Sequence, residues 1–442
     1  MNLHAAALLV TLLAAQCLVG AADLEPAVRA RVEAEYPRLF ELYKHLHANP
    51  EISFQEEKTA ARVADELKQA GFEVTAKVGG HGLVGVLKNG PGPTVLVRTD
   101  LDGLPVLEET GLPYASKART KDDQGKEVPA MHACGHDVHM TSFIGTARVL
   151  AALRDRWSGT LVFIGQAAEE RVGGAKRMLA EGLFTRFPRP DFCLALHVAS
   201  DLPAGTVGHT EGYALANADT VDIVVRGVSG HGAWPHMTKD PIVLSAQIIL
   251  ALQTIVSRET SPTDPAVVTV GSIHGGTKHN IIPDEVRLQL TMRSYSDAVR
   301  EASIAALRRI VRGQALAAGI PEKLLPTVSV SEEGARSTYN DPALTQRVAA
   351  AIGRWISPGN VVPKGPVMGA EDFGLYGRTE HKVPICIFWL GTITKESVNE
   401  SIKTGKTLPS LHSSKFAPVP EPTLKTGVTA MSAAVLDLVG KK

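Results

Sequence analysis

Cys134 and His136 lie one glycine apart in the stretch His132-Ala133-Cys134-Gly135-His136-Asp137. A thiol and an imidazole so close in sequence cannot share one helical face. They fit a loop that opens a helix near Val138, where Gly135 lets the backbone bend tightly. A helix N-terminus favours the thiolate, and a thiolate with a neutral imidazole is a strong ligand pair for zinc or a similar divalent ion. Taken alone, the same triplet reads equally well as a buried thiol beside a surface histidine.

Two further stretches carry the same kind of chemistry. Glu169 and Glu170 follow the apolar run Thr160–Ile164, and His197 closes the run Phe192–Leu196. In open α/β sheets, ligands bind outside the carboxyl ends of the strands. Adjacent carboxylates there can divide the work, one on a metal and one free as general base. An acidic pair is usually a solvated face, and a lone strand-end histidine has its own bland reading. Donor groups at successive strand ends are harder to ascribe to coincidence.

Those strand ends need a scaffold, and the patterning describes one. Helical spacing at Leu39, Leu42, Tyr43 and Leu46, and again at Ala60, Val63 and Leu67, alternates with apolar runs at Leu83–Leu87, Thr94–Val97, Thr160–Ile164 and Phe192–Leu196. A long helix is expected over Val138–Leu153. Continuous apolar strands between helices predict an α/β sheet covered on both faces. From Ala218 to Val328 the texture changes. Strands at 221–225, 267–270, 286–292 and 326–330 enclose helices over 240–257 and 298–317. Strand–helix–strand–strand–helix–strand is the ferredoxin-like order, so residues 214–328 read as an inserted α+β domain. Residues 23–213 and 329–442 form the α/β domain around it. At 442 residues and 44% hydrophobic, the chain is long enough for two cores.

Composition excludes some classes. The 46 basic and 46 acidic side chains balance, so the electrostatic footprint of a nucleic-acid binder is missing. Aromatics make up 5%, which argues against a stacking platform for single strands. Residues 5–20 form an apolar run that ends in Gly20-Ala21-Ala22, short for a membrane span and shaped like a signal-peptide cleavage site. Residues 1–22 are therefore read as a signal segment, which implies a secreted or periplasmic protein. A retained anchor is the alternative, and a lipobox at Cys17 fits less well because Gln16 precedes it. No later stretch is read as long and apolar enough to span a bilayer. Cys134, Cys193 and Cys386 remain, an odd and widely spaced set that forms no disulfide framework.

Taken together, the motifs are recognisable. The chain resembles the aminoacylase/carboxypeptidase family of dimetal exopeptidases, in particular its branch of hippurate hydrolases, N-acyl-amino-acid amidohydrolases and auxin–amino-acid conjugate hydrolases. The resemblance rests on His47-Ala-Asn-Pro-Glu-Ile-Ser-Phe-Gln-Glu56, Arg98-Thr-Asp-Leu-Asp-Gly-Leu-Pro105, Glu109-Thr-Gly-Leu-Pro-Tyr114 and Met131-His-Ala-Cys-Gly-His-Asp137. It continues through Gln166-Ala-Ala-Glu-Glu170, Gly230-His-Gly-Ala-Trp-Pro-His236, Asn280-Ile-Ile-Pro-Asp284, Gly369-Ala-Glu-Asp-Phe373 and Leu411-His-Ser-Ser-Lys-Phe416. It implies a catalytic α/β domain with an inserted ferredoxin-like lid and dimerisation domain. It implies two divalent ions on Cys134, His136, Glu170, His197 and His412, with the Cys134 sulfur as a bridge and Glu169 as general base and proton shuttle. Zinc suits that donor set; manganese, cobalt and nickel occupy similar ones.

The resemblance further implies a homodimer in which His231 reaches the neighbouring subunit's site and polarises the scissile carbonyl. Asn280 and Arg293 become candidates for holding a substrate carboxylate, a task that suits the bidentate guanidinium, although Arg293 also reads as a solvated strand-end charge. Asp100 and Asp102 become hydrogen-bond supports of ligating histidines, or caps of a turn. His132, Asp137, His139, Glu371 and Asp372 are read as supporting residues rather than ligands. Local departures from the family pattern, Ala167, Arg171-Val172, Gly232 and Trp234, bear on substrate identity.

The reaction implied is hydrolysis of an N-acyl or N-aroyl amino acid to a carboxylic acid and a free amino acid. A metallo-exopeptidase or dipeptidase acting on short peptides is the second reading. A non-catalytic metal- or peptide-binding protein on the same fold is the reading from another class. No nucleic-acid partner is expected, and no membrane once the signal segment is removed.

Overall fold

The computed structural model of the chain describes residues 24–332 and 334–441. The expected signal segment, residues 1–22, lies outside them. In chain order the elements that matter are α1 (Leu24–Ala48), α2 (Glu57–Gln69), β1 (Glu73–Ala76), β2 (Leu83–Asn89), β3 (Thr94–Asp100), α3 (His136–Ala152), β4 (Gly159–Gln166), β5 (Phe192–Pro203) and β6 (Val207–His209). Then come β7 (Asn217–Arg226), β8 (Gly230–His231), α4 (Pro241–Thr254), β9 (Ala266–Gly275), β10 (Ile281–Ile282), β11 (Glu285–Ser294), α5 (Asp297–Ala317) and β12 (Thr327–Val330). The chain closes with α6 (Pro342–Ile356), β13 (Val361–Pro363), β14 (Ile385–Ile393), α7 (Lys395–Thr404) and α8 (Pro420–Val439).

These elements fall into two compact units. The first takes the described residues up to Gly212 together with Tyr339–Gly365 and the chain from Phe373 on. The second takes Tyr213–Thr338 and Pro366–Asp372. The second unit thus runs past residue 328, the boundary expected from sequence. The reason lies in pairing: β12 hydrogen-bonds to β7 across Val221–Val330, and Ala218 bonds onward to Ala335.

The first unit is built on an eight-stranded sheet in the order β1-β2-β4-β3-β5-β14-β6-β13. Its centre, β4-β3-β5-β14, is parallel, so four carboxyl ends open on one edge. Both faces of a parallel sheet must be covered, and the helices do so. Helix α3 is buried from His136 to Leu150 and packs between α1 and α8. That close approach needs Gly145, where an added Cβ would lie 2.4 Å from Val428 Cγ2 and 2.9 Å from Leu39 Cδ1. Arg148 ties the same helix to its neighbours, pairing with Glu35 of α1 at 3.1 Å and with Glu66 of α2.

The second unit is a four-stranded antiparallel sheet, β9-β11-β7-β12, with α4 and α5 packed on it. This is the ferredoxin-like order expected. The capping is local: Asp240 accepts from the Ile242 and Val243 amides, and Ser296 from Val299.

Two expectations change here. The stretch Pro241–Glu259 is, by length and composition alone, long and apolar enough to cross a membrane, against the reading that no such stretch follows the first. Its apolar character has a different origin in the fold: Leu244, Ile248 and Leu252 pack into the second unit's core, while Val243 and Leu250 lie exposed. The other change is in β5. It does not stop at His197 but continues to Pro203, because β14 pairs alongside it from Ile385↔Cys193 to Ile393↔Pro203.

Candidate metal centre

The parallel strands set the donors out one by one. β3 ends at Asp100, with Asp102 two residues on; β4 ends at Gln166, and the turn after it holds Glu169 and Glu170. His197 projects from β5 beside Trp389 of β14, their rings 5.7 Å apart. Cys134 and His136 flank Gly135, which caps α3 in the left-handed conformation at φ 76°. A Cβ there would meet Val198 Cγ2 at 2.6 Å, so glycine is required on both counts. His412 arrives on a loop; its backbone N–H donates to the Ala133 carbonyl at 2.9 Å. These groups assemble into overlapping sets whose donor atoms lie within 4.8 Å of one another: Cys134, His136 and His197; Cys134, Glu170 and His412; His136, Glu169 and Glu170. Cys134 belongs to the first two.

The histidines are oriented by what their other nitrogen does. His136 Nδ1–H donates to the Asp102 carbonyl at 2.7 Å, and His197 Nδ1–H donates to the Val198 carbonyl at 2.8 Å. Each bond fixes the tautomer and turns the Nε2 lone pair inward. His197 Nε2 lies 3.6 Å from Cys134 Sγ. His136 Nε2 lies 3.7 Å from Glu169 Oε2 and 3.8 Å from Glu170 Oε1. His139 is different. Its Nδ1–H donates to Asp100 Oδ1 at 2.7 Å and its Nε2 accepts from the Val198 amide at 2.9 Å, so both nitrogens are committed and it supports rather than ligates.

Asp100 is held on both oxygens, by His139 and by the fully buried Arg98 at 2.7 Å. Asp102 Oδ2 accepts from Ser53 Oγ at 2.6 Å and from the Glu170 amide at 3.0 Å. Neither Arg98 nor Ser53 was given a role from sequence. Both sit in motif stretches already noted, but their partners are visible only in the fold.

The donor set fits divalent cations. His136 Nε2, Glu170 Oε1 and Asp102 Oδ1 are buried without a hydrogen-bond partner, and buried polar atoms are rarely left so. Around them crowd the carboxylates of Asp100, Asp102, Glu169 and Glu170 with one thiol. Burial, then Glu170, Glu169 and Asp100, push the Cys134 thiol well up. Burial, followed by Asp102 and Asp100 against the pull of His136, pushes Glu170 up to about 7. Burial works against a charged His136, but Asp100, Asp102 and Glu170 outweigh it and hold the ring at about 10. Burial and mutual repulsion disfavour the anionic forms of Cys134 and Glu170, and a divalent cation at these donors would restore them.

The catalytic and substrate-binding candidates not yet placed lie in the second unit. His231 and Asn280 are neighbours: His231 pairs with Ile281 between β8 and β10, and the Gly232 amide donates to the Asn280 carbonyl at 2.8 Å. His231 Nδ1 accepts from the Ala233 amide at 3.0 Å and its ring lies 4.9 Å from that of Trp234. Arg293 is not with them. It pairs with Ala218 and Val267 at the far end of β11, about 26 Å of strand from Glu285 at ~3.3 Å per residue. Glu371 and Asp372 also fall in this unit.

Comparison with known proteins agrees with the fold. Residues 96–413 match the model of peptidase family M20/M25/M40. A thermostable carboxypeptidase 2 of Saccharolobus solfataricus is 36% identical over 95% of this chain and 100% of its own length. A hippurate hydrolase of Campylobacter jejuni is 36% identical over 76% of this chain and 84% of its own. Among solved structures, a dinuclear metal binding peptidase of the M20 family from Bacillus subtilis superposes with a TM-score of 0.73 and 29% identity, covering 92% of this chain and all of its own. The chain is a metal-dependent amidohydrolase of a kind that works with two divalent cations. The chain belongs to the peptidase family M20/M25/M40.

Proposed function

We propose that the chain hydrolyses the amide bond of N-acyl or N-aroyl amino acids, releasing a carboxylic acid and a free amino acid. The observation that carries this reading is the meeting of two donor sets at Cys134 with Glu169 beside them. Cys134, His136, Glu170, His197 and His412 would hold the two cations. Bound there, divalent cations supply Lewis acidity and make water a nucleophile near neutral pH. Zinc suits one thiolate, three imidazoles and one carboxylate; manganese, cobalt and nickel remain alternatives.

Glu169 takes the proton from the attacking water and returns it to the departing amine, so one water is consumed and no proton is lost. Its Oε2 lies 3.7 Å from His136 Nε2, at the edge of the donor set. His231 donates to the developing oxyanion from a second copy of the chain. Asn280 and Arg293 bind the substrate carboxylate. Asn280 precedes β10, outside the Glu285 end of β11, whereas Arg293 lies near its Ser294 end, and this separation within one copy supports a dimeric site. Residues 1–22 are read as a signal that sends the protein across a membrane; the N-terminal sequence of the mature chain tests this.

The test of function is a panel of N-acetyl and N-benzoyl amino acids and dipeptides, assayed with the wild type and Glu169→Gln. Turnover of acyl amino acids that falls by about a thousandfold in the variant, with metal content kept, supports the reading. The carboxypeptidase relative favours a second reading, an exopeptidase; preferential turnover of the dipeptides would establish it.

A further inference from the structure

Glu56 closes the His47–Glu56 motif, and nothing in the proposed chemistry uses it. It is fully buried. Its Oε1 accepts two backbone N–H groups, from Phe54 at 2.9 Å and from Ala168 at 2.7 Å. Both donors belong to residues in the left-handed region, Phe54 at φ 68° and Ala168 at φ 51°. Such a conformation is uncommon for any residue with a Cβ.

Ala168 begins the turn that carries Glu169 and Glu170, and the turn ends under the same kind of strain. Val172, a β-branched residue, stands at φ 50°. Its amide donates to the Glu169 carbonyl at 2.7 Å, and the Gly173 amide donates to the Ala168 carbonyl at 3.1 Å. Non-glycine residues hold these angles only where the surroundings over-determine them. Here the surroundings are residues 53–56. Glu56 fixes the amide on one side of Glu169, and Asp102, itself held by Ser53, fixes the Glu170 amide on the other at 3.0 Å. Phe54 backs the far end of the turn, with the guanidinium of Arg177 4.0 Å and that of Arg171 5.6 Å from its ring centre.

We propose that Glu56 is a positioning residue for the base: its carboxyl oxygen clamps a turn that would otherwise relax and swing Glu169 out of reach of the reacting water. The proposal rests on the reading of Glu169 as the base. The other oxygen of Glu56, Oε2, is buried without a hydrogen-bond partner. Burial and then the Asp102 carboxylate push the acid up to about 7, which agrees with a proton on Oε2 while Oε1 accepts. The amide of glutamine reproduces that pattern of one acceptor and one donor.

The experiment compares Glu56→Gln, Glu56→Ala and Glu56→Asp in the full-length, metal-loaded enzyme, each alone and with Ala168→Gly. It measures kcat, KM, bound metal per chain and thermal midpoint on an N-acyl amino acid. Glu56→Gln is expected to stay within about threefold of wild type in kcat. Glu56→Ala and Glu56→Asp should lose about tenfold or more in kcat, with KM and metal content kept. Ala168→Gly should recover part of that loss, because glycine takes a positive φ without the clamp. Unchanged kcat per metal-loaded chain in Glu56→Ala, whatever its thermal midpoint, would overturn the proposal. If the alanine variant does not fold, unchanged kcat in Glu56→Asp overturns it equally. Glu169→Gln run alongside separates the two readings. Retained turnover there removes the base assignment, whereas loss there with an active Glu56→Ala removes only the clamp.

Discussion

Hydrogen bonds assign the histidines their duties more sharply than sequence position does. His136 and His139 lie three residues apart on one helix, yet one keeps a lone pair for a cation and the other spends both nitrogens on Asp100 and the Val198 amide. Cys134 belongs to two donor sets, as His136 and Glu170 also belong to more than one, so its loss should be felt by both. Cys134→Ser, which exchanges a soft thiolate for a poor ligand, is expected to lower bound metal per chain and to cut turnover about a hundredfold, as read by metal analysis and initial rates. Near-normal metal content and rate would show that the sulfur is incidental. Glu56 makes a separate prediction in pH. An acid held near 7 in the fold, above its unfolded value, contributes stability that is present in acid and is lost as pH rises through 7. Relative to wild type, Glu56→Gln should therefore gain thermal stability between about pH 5 and about pH 8; a constant difference across that range contradicts the burial argument.

At the scale of elements, strands supply position and helices supply rigidity. α3 carries His136 at its first turn and is locked by α1, α2 and α8. Arg148 is the polar part of that lock: it is buried and lies between the carboxylates of Glu35 and Glu66. Glu35 keeps Arg31 at 2.8 Å and Glu66 keeps Arg62 at 2.9 Å when Arg148 is removed, so Arg148→Met loses charge-assisted hydrogen bonds rather than stranding two carboxylates and should cost about 1.5–3 kcal/mol in denaturant unfolding. A loss under about 1 kcal/mol would mean that water reaches those carboxylates. This scale also explains what could be read in advance. Glu170 and His197 were legible as donors because they follow apolar runs that mark strands, and Cys134 because a glycine sets it beside His136 at a loop opening a helix. His412 was legible only through resemblance. It is delivered by a loop whose anchor is the Ala133 carbonyl, a contact that leaves no periodic trace. Glu56 was illegible as a functional group for the same reason, since its partner is a backbone amide 112 residues away. The end of β5 was missed because pairing with β14, not the apolar run, decides where that strand stops.

For the whole molecule, the second unit poses the main question. Val243 and Leu250 on α4 and Ile273 on the edge strand β9 are exposed, and an edge strand beside apolar side chains invites pairing with another copy. Light scattering is expected to give the mass of two chains for the wild type. Leu250→Asp should shift that mass toward one chain and lower turnover together, if His231 serves a neighbour's site. A fully active single chain would remove the role in trans.

The central claim is that amide hydrolysis here depends on two divalent cations gathered around Cys134. The direct measurement strips the protein of metal with a chelator, then titrates zinc or manganese back while following both bound metal and hydrolysis of an N-acyl amino acid. The account predicts no turnover in the stripped protein and a rise that saturates at two ions per chain. Full turnover in metal-free protein, or saturation with no hydrolysis of any acyl amino acid, would contradict it.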